Sequence, residues 1–319
     1  MGDADPMEVL MSLLRPEAVL PKVISGGGRW SVRKPRFGGP AFCLMLEGSC
    51  RLDADGLDTV ELGAGDFLLL PQTPGFTLGA DRDITPTPSA LDHSRHTRHG
   101  AESDAVTMRM LGGYFRFDPA NAALLVALLP PSILVRADRP GAQRLHRLVE
   151  LITEEADADG ACRDVILQRL VEVLLIEAMR VHTATDLGVP QRGLIAGLTD
   201  PVLAPALRRL HADVGHGWTV ERLAREAAVS RAVFAQRFTR TIGVPPMQYL
   251  LEWRVALAKD LLRRERPSVA QVAQQVGYQS ATAFTTAFAR VAGCSPTEFA
   301  RTASHRQDVA FAGGDRAVQ

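Results

Sequence analysis

The chain has 319 residues, 46% of them hydrophobic and 23% charged, with 36 Lys+Arg balanced by 36 Asp+Glu. That length accommodates two domains with sizeable cores, and the composition excludes a disordered or collagen-like chain. No run approaches the ~20 apolar residues of a membrane helix, no signal segment opens the chain, and four scattered cysteines (Cys43, Cys50, Cys162, Cys294) lack metal-type or disulfide-scaffold spacing, so a cytoplasmic protein with reduced thiols is expected.

The balanced charge conceals an asymmetry. Pro201 to His305 carries 14 Lys+Arg against 7 Asp+Glu, whereas Met1 to Asp200 carries 20 against 27. A basic last third suits a polyanionic partner, because long-range attraction speeds its encounter with DNA.

In chain order, residues 1–20 read as helical. Asp5-Pro6 can start a helix, Val9, Leu10, Leu13 and Leu14 share a face, and Arg15-Pro16 stops it. From residue 22 to 117 short apolar runs alternate with Gly and Pro turns: Trp30–Val32, Phe42–Leu46, Ser49–Leu52, Thr59–Leu62, Phe67–Leu70, Phe76–Leu78 and Val106–Leu111. Such spacing predicts an antiparallel sandwich or barrel, with Glu47-Gly48 as a two-residue hairpin turn. Asp81 to Glu102 reads as a long loop holding His93, His96 and His99, which are weak metal candidates set against a solvated loop. Helical patterns follow at Ala120–Leu129, Ala142–Glu155 and Ala161–Val181. In the last, Val165, Ile166, Leu170, Val173, Leu174 and Met179 approximate a 3.6-residue repeat that needs covering.

The last third contains an internal repeat. Trp218–Phe238 and Ser268–Phe288 each read as a short helix, a turn and a second helix. Leu223-Ala224 answers Val272-Ala273, and Ser230, Phe234 and Phe238 answer Ser280, Phe284 and Phe288. The phenylalanines face inward at i, i+4, and Ser230 and Ser280 are candidate N-caps. The outward residues are candidates to enter DNA grooves: Arg231, Ala232, Ala235, Gln236 and Arg240 in the first copy, and Ala281, Thr282, Thr285, Thr286 and Arg290 in the second. Arg can pair with guanine, Gln with adenine, and Thr methyls can meet thymine methyls. Between the copies, Met247 to Glu265 lacks Gly and Pro. As one helix it spans roughly 28 Å, close to the ~34 Å between successive major-groove faces.

Residues W-T-V-E-R-L-A-R-E-A-A-V-S-R-A-V-F-A-Q-R-F and V-G-Y-Q-S-A-T-A-F-T-T-A-F-A-R-V-A-G-C-S-P, within about Pro201 to Arg301, resemble the DNA-binding domain of AraC/XylS-type transcription regulators. Residues 22–200 resemble the cupin-type regulatory domain of one branch of that family. Trp30, the Leu62–Asp66 turn, Leu68–Pro71, Gly112–Phe115 and Leu128–Pro130 carry that likeness. The resemblance implies a regulator, commonly dimeric, whose cupin domain senses a signal. At positions 232 and 286 this chain has Ala and Thr where relatives often carry larger contacts.

Metal-dependent cupins use a His-x-His pair, a Glu and a further His, yet no histidine precedes His93, and Pro74-Gly75-Phe76 stands where a late one would be expected. No catalytic residue, metal or cofactor is therefore expected. Leu44, Leu46, Leu68, Leu70 or their neighbours are candidates to line a small-molecule site, and Cys43 and Cys50 are either redox sensors or small apolar residues.

The expected fold is α+β and multidomain. Residues 1–187 form a cupin-like antiparallel β-barrel with following helices, 188–200 a linker, 201–305 an all-α domain with two helix-turn-helix units, and 306–319 a tail. The expected function is a sequence-specific transcription regulator, activator or repressor, modulated by a small-molecule or redox signal. Double-stranded DNA, a second copy, RNA polymerase and a small-molecule effector are the candidate partners. The alternatives are a constitutive DNA-binding protein with an inert dimerisation barrel, and a cupin enzyme fused to a DNA-binding domain.

Overall fold

The computed structural model describes residues 5–80, 83–89, 94–139, 143–158, 160–184, 192–264 and 267–302. Helix α1 (Pro6–Leu14) precedes strands β1 (Glu17–Gly27), β2 (Ser31–Lys34), β3 (Ala41–Glu47), β4 (Ser49–Ala54), β5 (Val60–Gly63), β6 (Phe67–Leu70), β7 (Phe76–Gly79), β8 (Thr87–Pro88), β9 (His96–His99) and β10 (Val106–Arg116). Then come α2 (Ala122–Val126), β11 (Ile133–Val135), α3 (Gln143–Asp157), α4 (Arg163–Ala184), α5 (Leu194–Thr199) and α6 (Leu203–Ala212). The last elements are α7 (Val220–Glu226), α8 (Arg231–Ile242), α9 (Pro246–Arg264), α10 (Val269–Gln275) and α11 (Ala281–Ala292), with residues 296–302 again helical.

These elements divide into two compact units that do not follow the linear order. One contains Arg15–Phe117 and Leu129–Pro190, and the other Met1–Leu14, Asp118–Leu128 and Gln191–Gln319.

The first unit is built on two sheets, in the orders β11-β6-β3-β10-β1-β9 and β5-β4-β7-β2-β8. It is a sandwich of open sheets where sequence suggested a barrel, and two edge pairings, β1 with β9 and β2 with β8, are parallel. The interior takes Ile24, Cys43, Met45, Leu68, Leu70 and Met110 from one sheet and Val32, Cys50, Leu52, Leu62 and Leu78 from the other. Strand β3 is buried on both faces, so Leu44 and Leu46 turn away from this interior by the period-2 alternation, and α3 lies against β3.

Several sequence expectations are corrected here. Residues 17–20 belong to β1, because their partner β10 supplies ladder bonds that no local signal announces. Glu47-Gly48 does not close a hairpin: β3 pairs with β6 and β10 while β4 pairs with β5 and β7. The chain changes sheets at Gly48, where φ is +71 and an added Cβ would lie 2.0 Å from the Thr107 carbonyl oxygen. Between Asp81 and Glu102 lie two short strands, β8 and β9. On α4 the buried residues include Leu167, Val171, Leu174, Leu175, Ala178 and Met179, so the covered stripe is rotated from the expected one, and Val165, Ile166, Val173 and Ile176 are exposed. The Leu62–Asp66 turn is held by Asp66, whose carboxylate accepts from the Gly63 and Ala137 amides and from Arg136.

In the second unit, α1 is capped by Asp5, which accepts from the Met7 amide at 3.0 Å. Its Leu10, Leu13 and Leu14 are at most 2% exposed. Helix α9 is buried on more than one side. Val255, Ala258 and Leu262 join Val272, Ala273, Phe284 and Phe288 in one core, while Tyr249 and Trp253 surround His211 on α6.

Candidate nucleic-acid interface and sandwich cavity

Each helix-turn-helix begins with a capped helix. Thr219 accepts from the Arg222 amide at the start of α7, and Ser268 forms a capping box with Gln271 at the start of α10. The second helices are capped as the sequence predicts: Ser230 accepts from Val233 at 3.3 Å and Ser280 from Ala283 at 3.1 Å. Both end at a left-handed glycine, Gly243 and Gly293. The inward pairs Phe234–Phe238 and Phe284–Phe288 have ring centroids 5.5 and 5.6 Å apart, which fixes the opposite face outward.

That outward face carries the candidate base-reading residues. On α8, Arg231, Ala232, Gln236 and Arg240 are exposed and Ala235 is half-buried; on α11, Ala281, Thr282, Thr286 and Arg290 are exposed and Thr285 is half-buried. The two helices thus repeat one burial phase with different chemistry. Arg231 is engaged in the free protein: its Nε lies 2.5 Å from Glu221 of α7. The Thr286 hydroxyl donates to the Thr282 carbonyl at 3.1 Å, which leaves its methyl as the outward group. Arg237, absent from the sequence candidates, is tied to Asp200 at 2.8 Å and anchors α8 to the start of the domain.

The turns between paired helices differ. Gly277 (φ +86) occupies the second, while the first holds Ala228 at φ 52. Beside Gly277, Arg254 of α9 donates to the Val214 and His216 carbonyls. Burial holds His211 neutral, with its pKa lowered to about 3, and its Nε2 lies 2.7 Å from the Tyr249 hydroxyl.

The sandwich holds a partly open cavity of about 270 Å³ between its sheets. Leu68, Leu70 and Met110 line one side, and Leu52, Phe76 and Leu78 the other. Phe37 and Tyr114, with ring centroids 5.3 Å apart, also contribute. Of the sequence candidates Leu68 and Leu70 line it; Leu44 and Leu46 do not. Its polar wall groups include Lys22, Lys34, Thr73 and Cys43. Lys34 is buried and donates to the Ser89 hydroxyl at 2.7 Å; Lys22 donates to Thr97 at 3.3 Å. These lysines went unnoticed in the sequence because they converge only through strand pairing.

Burial pushes the Cys43 thiol well up and the Cys50 thiol up to about 12. Both are free, and Cys50 Sγ sits 3.8 Å from Met45 Sδ. Protonated, enclosed thiols are poor nucleophiles. His93 lies outside the described residues. His96 and His99 stand on β9, and His99 stacks on Trp30 at 5.2 Å. Among the described residues no group of three His, Cys, Asp or Glu is placed to hold a metal, and no helix is long and apolar enough to cross a membrane.

A family model described as Cupin matches residues 5–184, and one described as Helix-turn-helix domain matches residues 223–302. An AraC-like transcription regulator of Streptomyces lividans is 35% identical over 303 residues, 92% of this chain and 97% of that protein. Another from Streptomyces antibioticus is 35% identical over 305 residues, covering 92% and 98%. The solved DNA-binding domain of AdpA, in complex with a target DNA, is 32% identical and covers 34% of this chain and 97% of that one, with a TM-score of 0.33.

Proposed function

The chain belongs to the AraC-like DNA-binding transcription regulators with an N-terminal cupin domain, and from that premise we propose that it reads its operator with α8 and α11 and answers an apolar small molecule held in the sandwich. The observation that carries the DNA reading is the shared phase of the two helices. Both are capped by serine, both bury a phenylalanine pair, and both turn outward the residues one and two places after the cap. Helix α9, 19 residues long, joins them. The first unit offers charge and hydrogen bonding through Arg231, Gln236 and Arg240. The second offers mainly methyl groups through Ala281, Thr282 and Thr285, with Arg290 in its last turn.

Substitution separates the two ends of the site. Arg231→Ala or Gln236→Ala is expected to weaken binding at one end and Thr282→Ala or Thr285→Ala at the other. Base pairings worth ~1–3 kcal/mol give losses of about 5- to 150-fold in affinity. Footprinting with base-substituted duplexes checks this, and equal loss on random DNA counts against base reading.

The mainly apolar cavity wall supports an effector site. Among the described residues its lining includes no histidine, which favours sensing over oxygen chemistry. We also assign the working form as a cytoplasmic homodimer that recruits RNA polymerase or blocks it. The exposed Ile166, Val173 and Ile176, spaced by 7 and 3 along α4, form the kind of stripe that a second helix covers.

A further inference from the structure

Strands β1 and β10 are 11 residues each and pair along most of their length, from Glu17↔Arg116 to Gly27↔Val106. Both face the cavity. Lys22 and Ile24 line it from β1, and Met110, Gly112 and Tyr114 from β10. Their packing there is tight: a Cβ on Gly112 would lie 2.9 Å from Ile24 Cδ1. A molecule entering the cavity therefore presses on this pair with little slack between its strands.

At the end marked by Glu17 and Arg116, both strands lead directly into the DNA-binding unit. Residues up to Leu14 and from Asp118 to Leu128 belong to that unit. There the two chain ends are joined again, because the Asp118 amide donates to the Leu14 carbonyl at 2.7 Å. From this junction a set of buried polar contacts reaches α9. Arg263 Nη1 donates to the Asp118 carboxylate at 2.5 Å, with side chains 14% and 7% exposed. Lys259 Nζ donates to the Ala120 carbonyl at 2.7 Å. Asn121, fully buried, directs its amide at the Leu13 and Ala256 carbonyls, 3.5 Å from each. Ala256, Lys259 and Arg263 are spaced by three and four, so they form one stripe of α9. Val255, Ala258 and Leu262 of the same helix pack against the second helix-turn-helix.

We propose that occupation of the sandwich cavity is read by the β1–β10 pair and delivered, through α1 and residues 118–121, to the Ala256–Lys259–Arg263 stripe of α9, where it resets the placement of α11 relative to α8. This rests on the effector reading above and adds its route. Charged groups form the last link because a buried ion pair tolerates little displacement. Moving Asp118 away from Arg263 leaves an uncompensated charge, so the arrangement favours discrete states over gradual yielding.

The test uses the full chain, 8-anilinonaphthalene-1-sulfonate as the cavity probe, and a duplex that the protein selects from random sequence. Probe binding is read by its fluorescence, with Leu78→Trp, which takes up part of the cavity, as the control for where it binds. DNA affinity is read by anisotropy with and without the probe. The expected result is a shift in affinity of ~5-fold or more in the wild type, and a shift lost in Asp118→Asn and in Arg263→Gln while the probe still binds. Since either variant can lose stability, hydrogen exchange on the wild type gives an independent readout: probe binding should change protection in residues 6–14, 118–128 and 256–263. A bound probe with no shift in affinity, variants that keep the full shift, or unaltered exchange in those segments would each overturn the route. Probe fluorescence unaffected by Leu78→Trp, or absent altogether, would instead remove the effector reading on which it rests.

Discussion

Ala228 and Gly277 occupy matching turns but differ in how well they suit them. A left-handed backbone costs a residue with a Cβ roughly 1–2 kcal/mol, partly offset by the greater chain entropy that glycine loses on folding. Ala228→Gly is therefore expected to stabilise the protein by about 0.5–1 kcal/mol. Gly277→Ala should destabilise it by more, since the new Cβ would lie 2.5 Å from the Gly215 carbonyl oxygen. Urea unfolding of the two variants checks both signs. His211 makes a pH prediction. Its folded pKa, about 3, lies below the ordinary 6.5 because burial disfavours the imidazolium. The unfolded chain thus binds the extra proton first as pH falls. Stability from this group is intact above 6.5 and declines toward 3, at no more than about 1.4 kcal/mol per pH unit. His211→Phe should reduce the stability lost between pH 7 and pH 5, measured by urea unfolding at each pH.

At the scale of elements, the second helices of the repeat were legible because everything that defines them is local. The serine caps, the phenylalanines four apart and the terminal glycines all lie within about a dozen residues of one another. Strand pairing is not local. Glu47-Gly48 reads as a hairpin because glycine suits a positive φ, and Gly48 does adopt one, but the flanking strands find partners in different sheets. The cavity was half legible for the same reason. Leu68 and Leu70 could be named from an apolar run, whereas Lys22, Lys34 and Tyr114 meet only once the sheets form. On α4 the sequence offered too many apolar positions to fix the phase, and tertiary packing chose Leu167, Val171, Leu174 and Ala178. The remaining stripe is open to test. Val173, 45% exposed, should tolerate glutamate with little change in monomer stability. In sedimentation equilibrium Val173→Glu is expected to shift dimer toward monomer, and an unchanged association constant would place the dimer contact elsewhere.

Across the whole molecule, the division into two units cuts the chain at places that linear reading would join. The first helix belongs with the last third, and residues 118–128 join it there. Removing residues 1–14 is therefore expected to loosen the DNA-binding unit more than the sandwich. It withdraws the nearly fully buried Leu10, Leu13 and Leu14 and uncovers part of the surface near α9. Hydrogen exchange on the truncated chain should show α9 losing protection while β3 and β6 keep theirs, and the reverse pattern would contradict the assignment of α1.

The same arrangement imposes an order on biosynthesis. Helix α1 leaves the ribosome roughly 230 residues ahead of α9, a delay on the order of 10–50 s at ordinary translation speeds. A helix of nine residues is marginal in water without a partner, so until residues 118–128 emerge its leucines have no native cover within the unit they will join, and α9 follows later still. The nascent sandwich can close while its own N-terminal extension waits. The DNA-binding unit is thus completed only when α9 returns to cover α1.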